Sequence, residues 1–125
     1  VAQFNKFEPI EGQNVNGELT LGENIGDLAG VSIGYKAYQM SLDGKDAPVI
    51  DGLTGNQRFF MGYAQVWRSK SREDTLRAQL LSDPHSPGEF RVNGIVGNVD
   101  AFYQAFDVKE GDIMYLKPDD RVKIW

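Results

Sequence analysis

Apolar residues recur at helical spacing near the middle of the chain, between residues 58 and 69. The members of this stripe are Phe59, Phe60, Tyr63, Val66 and Trp67. Such spacing places apolar side chains on one face of a helix and predicts that this face is buried. Thr54 and Gln57, just before the stripe, match the Ser/Thr-x-x-Glu/Gln capping box that opens many helices.

Helical spacing and capping signals predict three further helices, over residues 20–41, 72–83 and 99–106. The first is the longest, and Thr20 with Glu23 offers a second capping box at its start. Residues 1–7 have the pattern of the last turns of a helix that ends before a proline.

Between these helices the chain is punctuated by glycine, asparagine and proline. Residues 84–88 hold two prolines and a glycine, so the segment that follows is predicted to start irregularly, with Arg91 near an extended stretch. Short extended pieces are predicted over 15–21, 111–116 and 121–125. The fold class predicted from the pattern is therefore mainly α, with helices and a few short strands.

The composition and charge of the chain exclude or disfavour several classes of function. The chain has 125 residues, 41% of them hydrophobic, which is typical of a single globular domain. Its net charge of -5, with no basic cluster, argues against nucleic acid as a partner. The absence of cysteine excludes disulfides and thiolate metal sites. The chain starts at Val1 without an initiator Met or a secretory signal pattern, and we expect it to have been cut from something longer.

Two carboxylates, Glu23 and Asp27, lie four residues apart in the longest predicted helix and therefore share a face. Two interpretations are open at this point. In one, Glu23 completes the capping box and Asp27 is a solvated surface residue. In the other, one acid binds a metal and its neighbour orients a ligand or a substrate group.

Glycines recur at every fourth position of the same helix, and these are Gly22, Gly26, Gly30 and Gly34. Each interior glycine costs about 1 kcal/mol of helix propensity relative to alanine. Close approach of another backbone is the usual compensation. We therefore expect this face to meet a neighbour outside the chain, or a second copy of it.

His85 is the only histidine of the chain, in the proline-braced segment "DPHSPGEFR". A lone histidine is commonly a hydrogen-bonded structural residue, yet a rigid loop can also hold an imidazole at one point of a site. Arg91 follows six residues later, and its guanidinium could clamp a carbonyl or carboxylate bidentately or form a surface ion pair. A catalytic zinc site needs three protein ligands, which one histidine cannot complete. Any metal site is therefore incomplete in this chain.

Three stretches, "GENIGDLAG", "FFMGYAQVW" and "DPHSPGEFRVNG", occur in this order. Together with "QFNKF", "AFYQAF" and the terminal "VKIW", they resemble the neprilysin-like zinc metallopeptidases, the family of the endothelin-converting enzymes, and in particular its bacterial branch. The resemblance implies that residues 1–125 are the C-terminal part of a thermolysin-like (gluzincin) catalytic domain.

The resemblance also implies roles for individual residues. Glu23 matches the third ligand of a single zinc ion, and Asp27 matches the acid that orients a ligand histidine. His85 matches the histidine that stabilises the oxyanion of the tetrahedral intermediate, and Arg91 matches the arginine that holds a substrate carbonyl. The family acts on short peptides, and its members are typically membrane-anchored or exported, which implies an extracytoplasmic location.

The chain shows small departures from the family pattern at Gly26, Ala29 and Gly30. The decisive departure is an absence: no His-Glu-x-x-His motif, the source of two zinc ligands and the general base, occurs in residues 1–125. We therefore expect the isolated chain to be inactive, to lack zinc in catalytic geometry, and to need the remainder of a larger catalytic domain as its partner. The alternative is a non-catalytic module derived from this family that binds peptides or proteins.

Overall fold

The computed structural model describes residues 1–124 and is built mainly of helices. In chain order these are α1 (Leu21–Ser41), α2 (Gly55–Val66), α3 (Glu73–Ser82), α4 (Gly88–Val96) and α5 (Asp100–Phe106). The predicted mainly α class is confirmed. Antiparallel pairing within the described residues is limited to isolated bridges, Ile10 with Gln13 and Ile50 with Leu53. The short strands predicted over residues 15–21 and 111–116 do not form. Of the piece predicted over 121–125, residues 121–124 are not a strand, and residue 125 lies outside the described residues.

The two predicted capping boxes have different outcomes. The box before α2 is confirmed, since the Thr54 hydroxyl accepts from the Gln57 N–H and the Gln57 side chain accepts from the Thr54 N–H. The box before α1 is wrong, because the Thr20 side chain makes no capping bond. Its hydroxyl donates to the Asn16 carbonyl instead, in the turn before α1. The hydroxyl that the sequence pattern predicts as a cap is therefore used in another hydrogen bond.

The core lies where α1 packs on α4 and where α2 packs on α4 and α5. Phe60 is buried between Tyr35 of α1 and Phe102 of α5, in a cluster of aromatic rings. The predicted core face of α2 is thus confirmed for Phe60, but Val66 is 73% exposed and does not belong to it.

The segment around Arg91 is helical rather than extended. Pro87 occupies the N-cap position of α4 with an extended ψ of 145°, and the helix begins at the next residue. A proline directly before a helix does not interrupt the hydrogen-bond pattern, because the first helical N–H groups have no intrahelical partner. The prolines therefore introduce α4 and do not break it.

The N-terminal residues form a single 3-10 turn, Phe4–Lys6, rather than the end of a longer helix. Gln3 and Asn98 exchange two side-chain hydrogen bonds, and Gln3 also donates to the Asp120 carbonyl. These bonds join the N-terminal segment, the turn between α4 and α5, and the C-terminal segment. None of the helices in the described residues combines the length and the apolar content that a membrane crossing requires.

Candidate active site

The four residues singled out in the sequence lie close together. Glu23 and Asp27 project from α1, Arg91 projects from α4, and His85 lies in the loop between α3 and α4. The packing of α1 on α4 brings these three stretches to one place.

Arg91 and Asp27 form a bidentate ion pair. Nε of Arg91 donates to Oδ2 of Asp27 at 2.6 Å, and Nη2 donates to Oδ1 at 2.8 Å. Both side chains are only 11% exposed. The hydrogen bonds to Asp27 raise the pKa of the Arg91 guanidinium above its ordinary value. The two parallel hydrogen bonds therefore hold the guanidinium plane in one orientation.

Tyr63 in α2 and Trp67 at its C-terminal end both contact Arg91. The Arg91 guanidinium lies 3.8 Å from the ring centroid of Trp67, in the geometry of a cation–π contact. The Tyr63 hydroxyl donates to the Arg91 carbonyl at 2.7 Å, and burial together with the Asp27 charge raises the pKa of Tyr63. Within the described residues, Nη1 of Arg91 makes no hydrogen bond, so two N–H groups remain for another acceptor.

His85 lies between two carboxylates. Its Nδ1 is 2.7 Å from Oδ1 of Asp83, and its Nε2 is 3.2 Å from Oε2 of Glu23. Each ring nitrogen of His85 therefore has a carboxylate oxygen within hydrogen-bond distance. Hydrogen bonds from the backbone N–H and the ring of His85 hold the pKa of Asp83 below its ordinary value.

Glu23 makes both of its contacts through one oxygen. Oε2 lies 3.2 Å from His85 Nε2 and 3.5 Å from Arg91 Nη2. Within the part of the chain that the structure describes, Oε1 takes part in no hydrogen bond, and the side chain is 43% exposed. One oxygen of Glu23 is thus oriented by the site and the other is open to a ligand.

Comparison with known proteins assigns the family. The model of peptidase family M13 matches residues 1–122. The chain belongs to this family. Neprilysin-3 of Drosophila melanogaster is 38% identical over 120 residues, and endothelin-converting enzyme 1 of Rattus norvegicus is 40% identical over 128 residues. These alignments cover 93% and 100% of the chain.

A solved structure of an M13 relative agrees with the fold. The open state of the zinc metalloprotease Zmp1 of Mycobacterium tuberculosis, solved by cryo-EM, matches with a TM-score of 0.97 at 55% identity over 100% of the chain. The chain spans 15% and 16% of the two curated relatives and 20% of the Zmp1 chain. The predicted kinship with the bacterial branch of the family is confirmed by this match.

The site geometry decides between some of the interpretations that the M13 sequence left open. Glu23 is not a capping residue, because Thr20 makes no capping bond. Asp27 is not a solvated surface acid, because Arg91 covers it. Arg91 does form the predicted bidentate contact, with a carboxylate of its own chain. It does so from a helix, not from an extended segment.

The glycine face of α1 is open, as predicted. A Cβ atom placed on Gly22, Gly26 or Gly30 would meet no other atom within 4 Å, and only Gly34 has a neighbour, the ring of Phe59 at 3.7 Å. Gly26 and Gly30 line a groove of about 340 Å³ that continues past Asp27 to Phe59 and Tyr63. The groove therefore borders the carboxylate that holds Arg91.

Zinc fits these residues only in part. Catalytic zinc takes three protein ligands. The described residues contain no group of three histidine, aspartate or glutamate side chains placed to hold a metal. Glu23 offers one exposed carboxylate, so the described residues do not by themselves complete a zinc site of this kind.

Four residues of the site were not predicted from the sequence. Asp83 holds His85, Trp67 lies under Arg91, and Ser86 and Asn24 are hydrogen-bonded to each other. Asp83 had a local signal, since an aspartate commonly accepts from the N–H two residues on. The other three had none, because their partners are distant in the sequence.

Proposed function

We propose that the chain is the C-terminal part of the catalytic domain of a zinc metalloendopeptidase that cleaves short peptides. The observation that carries this proposal is the convergence of Glu23, Asp27, His85 and Arg91 on one patch of the surface. A carboxylate, an imidazole held by an aspartate and a guanidinium with two free N–H groups are groups that a metallopeptidase site uses beside its metal ion and general base.

Glu23 is proposed as the third zinc ligand, acting through Oε1. The first two ligands and the general base would come from a His-Glu-x-x-His helix in the remainder of the domain. The contact of Oε2 with His85 supports this role, because it fixes the orientation of the carboxylate. Bound zinc would polarise the scissile carbonyl and lower the pKa of its water to about 7.

His85 is proposed as the donor to the oxyanion. With Nδ1 held by Asp83, Nε2 faces the same side of the site as Glu23. A preorganised donor of this kind contributes about 10²- to 10³-fold to kcat. We expect Nε2–H to pass from Glu23 to the developing oxyanion when substrate is bound.

Arg91 is proposed to hold a substrate backbone carbonyl through Nη1, because Nε and Nη2 are already used by Asp27. Asp27 then has two proposed functions. It fixes the guanidinium plane, and its remaining lone pairs can accept from a ligand histidine at the edge of the glycine groove.

The open glycine face is proposed to receive the rest of the catalytic domain, which we place upstream of residues 1–125. A helix can approach closely where side chains are absent, and the groove at Gly26 and Gly30 offers that approach beside Asp27. A second copy of the chain is the other occupant to be tested. An extracytoplasmic location is proposed on the family resemblance.

The decisive experiment measures zinc content and peptidase activity of the intact polypeptide that carries this chain. Glu23→Gln is expected to lower bound zinc below one tenth of an equivalent and to abolish activity. Glu18→Gln, an exposed acid outside the site, serves as the matched control. Full zinc occupancy in Glu23→Gln contradicts the ligand role, and an inactive intact protein without zinc supports the alternative of a non-catalytic binding module.

A second experiment separates His85 from Arg91. His85→Ala is expected to lower kcat by about 10²-fold with little change in KM, because the donor acts in the transition state. Arg91→Lys keeps the charge but loses the two-point geometry, and we expect it to raise KM. The opposite pattern would exchange the two roles.

A further inference from the structure

A buried series of hydrogen bonds connects the His85 loop to α1. The Ser86 hydroxyl donates to Oδ1 of Asn24 at 2.9 Å, and Nδ2 of Asn24 donates to the Thr20 hydroxyl at 2.9 Å. The Thr20 hydroxyl donates in turn to the Asn16 carbonyl at 2.9 Å. Ser86 is 1% exposed, Asn24 is 6% exposed and Thr20 is 3% exposed.

The direction of this series is fixed by its end. The Asn16 carbonyl can only accept, so the single hydroxyl hydrogen of Thr20 is used there. Thr20 therefore offers Asn24 a lone pair, and the amide of Asn24 must turn Nδ2 toward Thr20 and Oδ1 toward Ser86. Ser86 then has one way to bond, as a donor, and its position is defined by Asn24.

The two ends of the Ser86–Asn24 bond are sequence neighbours of site residues. Ser86 follows His85, and Asn24 follows Glu23. Apart from the contact with Glu23, the other polar contacts of His85 lie within residues 79–85. Its backbone N–H donates to Oδ1 of Asp83, its Nδ1 lies 2.7 Å from the same oxygen, and Nε2 of Gln79 donates to its carbonyl. Bonds inside that segment fix the shape of the loop, but they cannot set its distance from α1.

We propose that Ser86 and Asn24 are positioning residues, which hold the His85 imidazole at its 3.2 Å separation from Glu23. Thr20 acts through them by fixing the orientation of the Asn24 amide. The catalytic consequence rests on the proposed function, since it requires that His85 acts on the substrate. The geometric consequence concerns residues 16–86 alone and is testable without activity.

Loss of the Ser86 hydroxyl leaves Oδ1 of Asn24 buried without its donor, and the loop is then free to shift from α1. Changes in residues that orient ligands and catalytic groups typically lower activity by about 10- to 100-fold. For Ser86→Ala in the intact polypeptide we expect kcat to fall about tenfold, with KM changed less than about twofold, because binding through Arg91 is retained.

The geometric test uses the single histidine of the chain. In residues 1–125 the Cε1–H and Cδ2–H resonances of the ring belong to His85 alone. Ser86→Ala and Thr20→Val are expected to shift or broaden them, whereas Thr20→Ser, which keeps the hydroxyl, restores the native spectrum. Ser82→Ala is the matched control, because it removes the hydroxyl of an exposed serine at the end of α3, just before the His85 loop.

Outcomes of the two tests separate the inference from the proposed function. Unmoved ring resonances in a folded Ser86→Ala or Thr20→Val variant overturn the positioning role. If Ser86→Ala does not fold by circular dichroism, Thr20→Val is read in its place. Moved resonances with unchanged kcat in His85→Ala support positioning and refute the catalytic role of His85. Reduced kcat in His85→Ala with native kcat in Ser86→Ala refutes positioning and leaves the proposed function intact.

Discussion

Arg91 and Asp27 are joined by two parallel hydrogen bonds across 64 residues of chain, at 2.6 and 2.8 Å. The pair links α1 to α4, and Trp67 lies against the guanidinium at 3.8 Å. One ion pair therefore connects the helix that carries both acids to the helix that carries the arginine. Its burial makes it energetically different from the exposed ion pairs of the same chain.

Removing one partner of this pair is expected to destabilise the folded chain. Asp27→Asn leaves the guanidinium largely buried without its carboxylate, and we expect a loss of about 3 kcal/mol in the free energy of unfolding. A double-mutant cycle with Arg91→Gln is expected to give a coupling energy of about 2 kcal/mol, measured by urea denaturation.

The exposed pair between Arg77 and Glu73 is the control for this cycle. Its N–O distance is also 2.6 Å, but the two side chains are 45% and 66% exposed. An exposed pair four residues apart on a helix contributes about 0.3–0.5 kcal/mol. Equal coupling energies in the two cycles would show that burial does not strengthen the Arg91–Asp27 pair.

An alanine substitution on the glycine face of α1 is expected to have opposite effects on stability and on activity. Gly30→Ala meets no atom within 4 Å, so in residues 1–125 it should raise the free energy of unfolding by about 0.5–1 kcal/mol. In the intact polypeptide the same change is expected to lower activity, because the added methyl group would occupy the surface where a neighbouring helix packs.

Gly94→Ala provides the contrasting variant. Its Cβ would lie 2.8 Å from Phe7 and 2.9 Å from Phe4, so we expect a loss of about 1–3 kcal/mol in the isolated chain. Gly30→Ala that stabilises the chain and leaves the intact protein fully active would refute a packed neighbour on this face.

Acid is expected to weaken the contact between α5 and the C-terminal segment. Hydrogen bonds from Arg121, then Lys123, lower the pKa of Asp100 in the folded chain. A folded pKa below the unfolded one gives stability that is present above the ordinary value of about 4 and is lost as the pH falls through the folded pKa. Because Asp100 is half exposed, the contribution is expected to stay below about 1 kcal/mol.

Urea unfolding at pH 7 and at pH 3 tests this linkage. The difference between wild type and Asp100→Asn should be constant in the neutral range and shrink below about pH 4, as the Asp100 carboxylate takes up a proton. Asp119→Asn, an exposed acid without an ion pair in the described part of the chain, is the control. A difference that grows as the pH falls would contradict the assignment.

Isolated residues 1–125 are expected to be inactive and not to hold zinc in catalytic geometry. Glu23 supplies one ligand, and three are needed. We expect no stoichiometric zinc after dialysis, and peptide cleavage at the level of buffer. Peptidase activity of the isolated chain that Glu23→Ala abolishes would refute this expectation.

Local pattern was sufficient for much of the fold. The stripe around Phe60 and the Thr54–Gln57 box predict α2, and the structure has both. The sequence pattern does not predict α4, because Pro84 and Pro87 indicate a helix break, whereas in the structure Pro87 stands at the N-cap, where proline is tolerated. Extended pieces were predicted where the chain instead follows turns, since short apolar runs without a partner strand do not form a sheet.

The sequence by itself determined four of the five α-helices of the described residues, the candidate residues and the family resemblance, because these depend on spacing along the chain and on motifs. Only the tertiary structure decided which polar partners meet. The local pattern also allowed Glu23 to be a capping residue and Asp27 to be a solvated surface residue. The packing of α1 on α4 instead places Glu23 beside His85 and Asp27 beside Arg91. Thr20 likewise lost its capping role to the bonds with Asn16 and Asn24. The physical reason is that a helix forms through hydrogen bonds between residues four apart in the sequence. The partner of a polar side chain, in contrast, depends on which distant residues the tertiary packing places beside it.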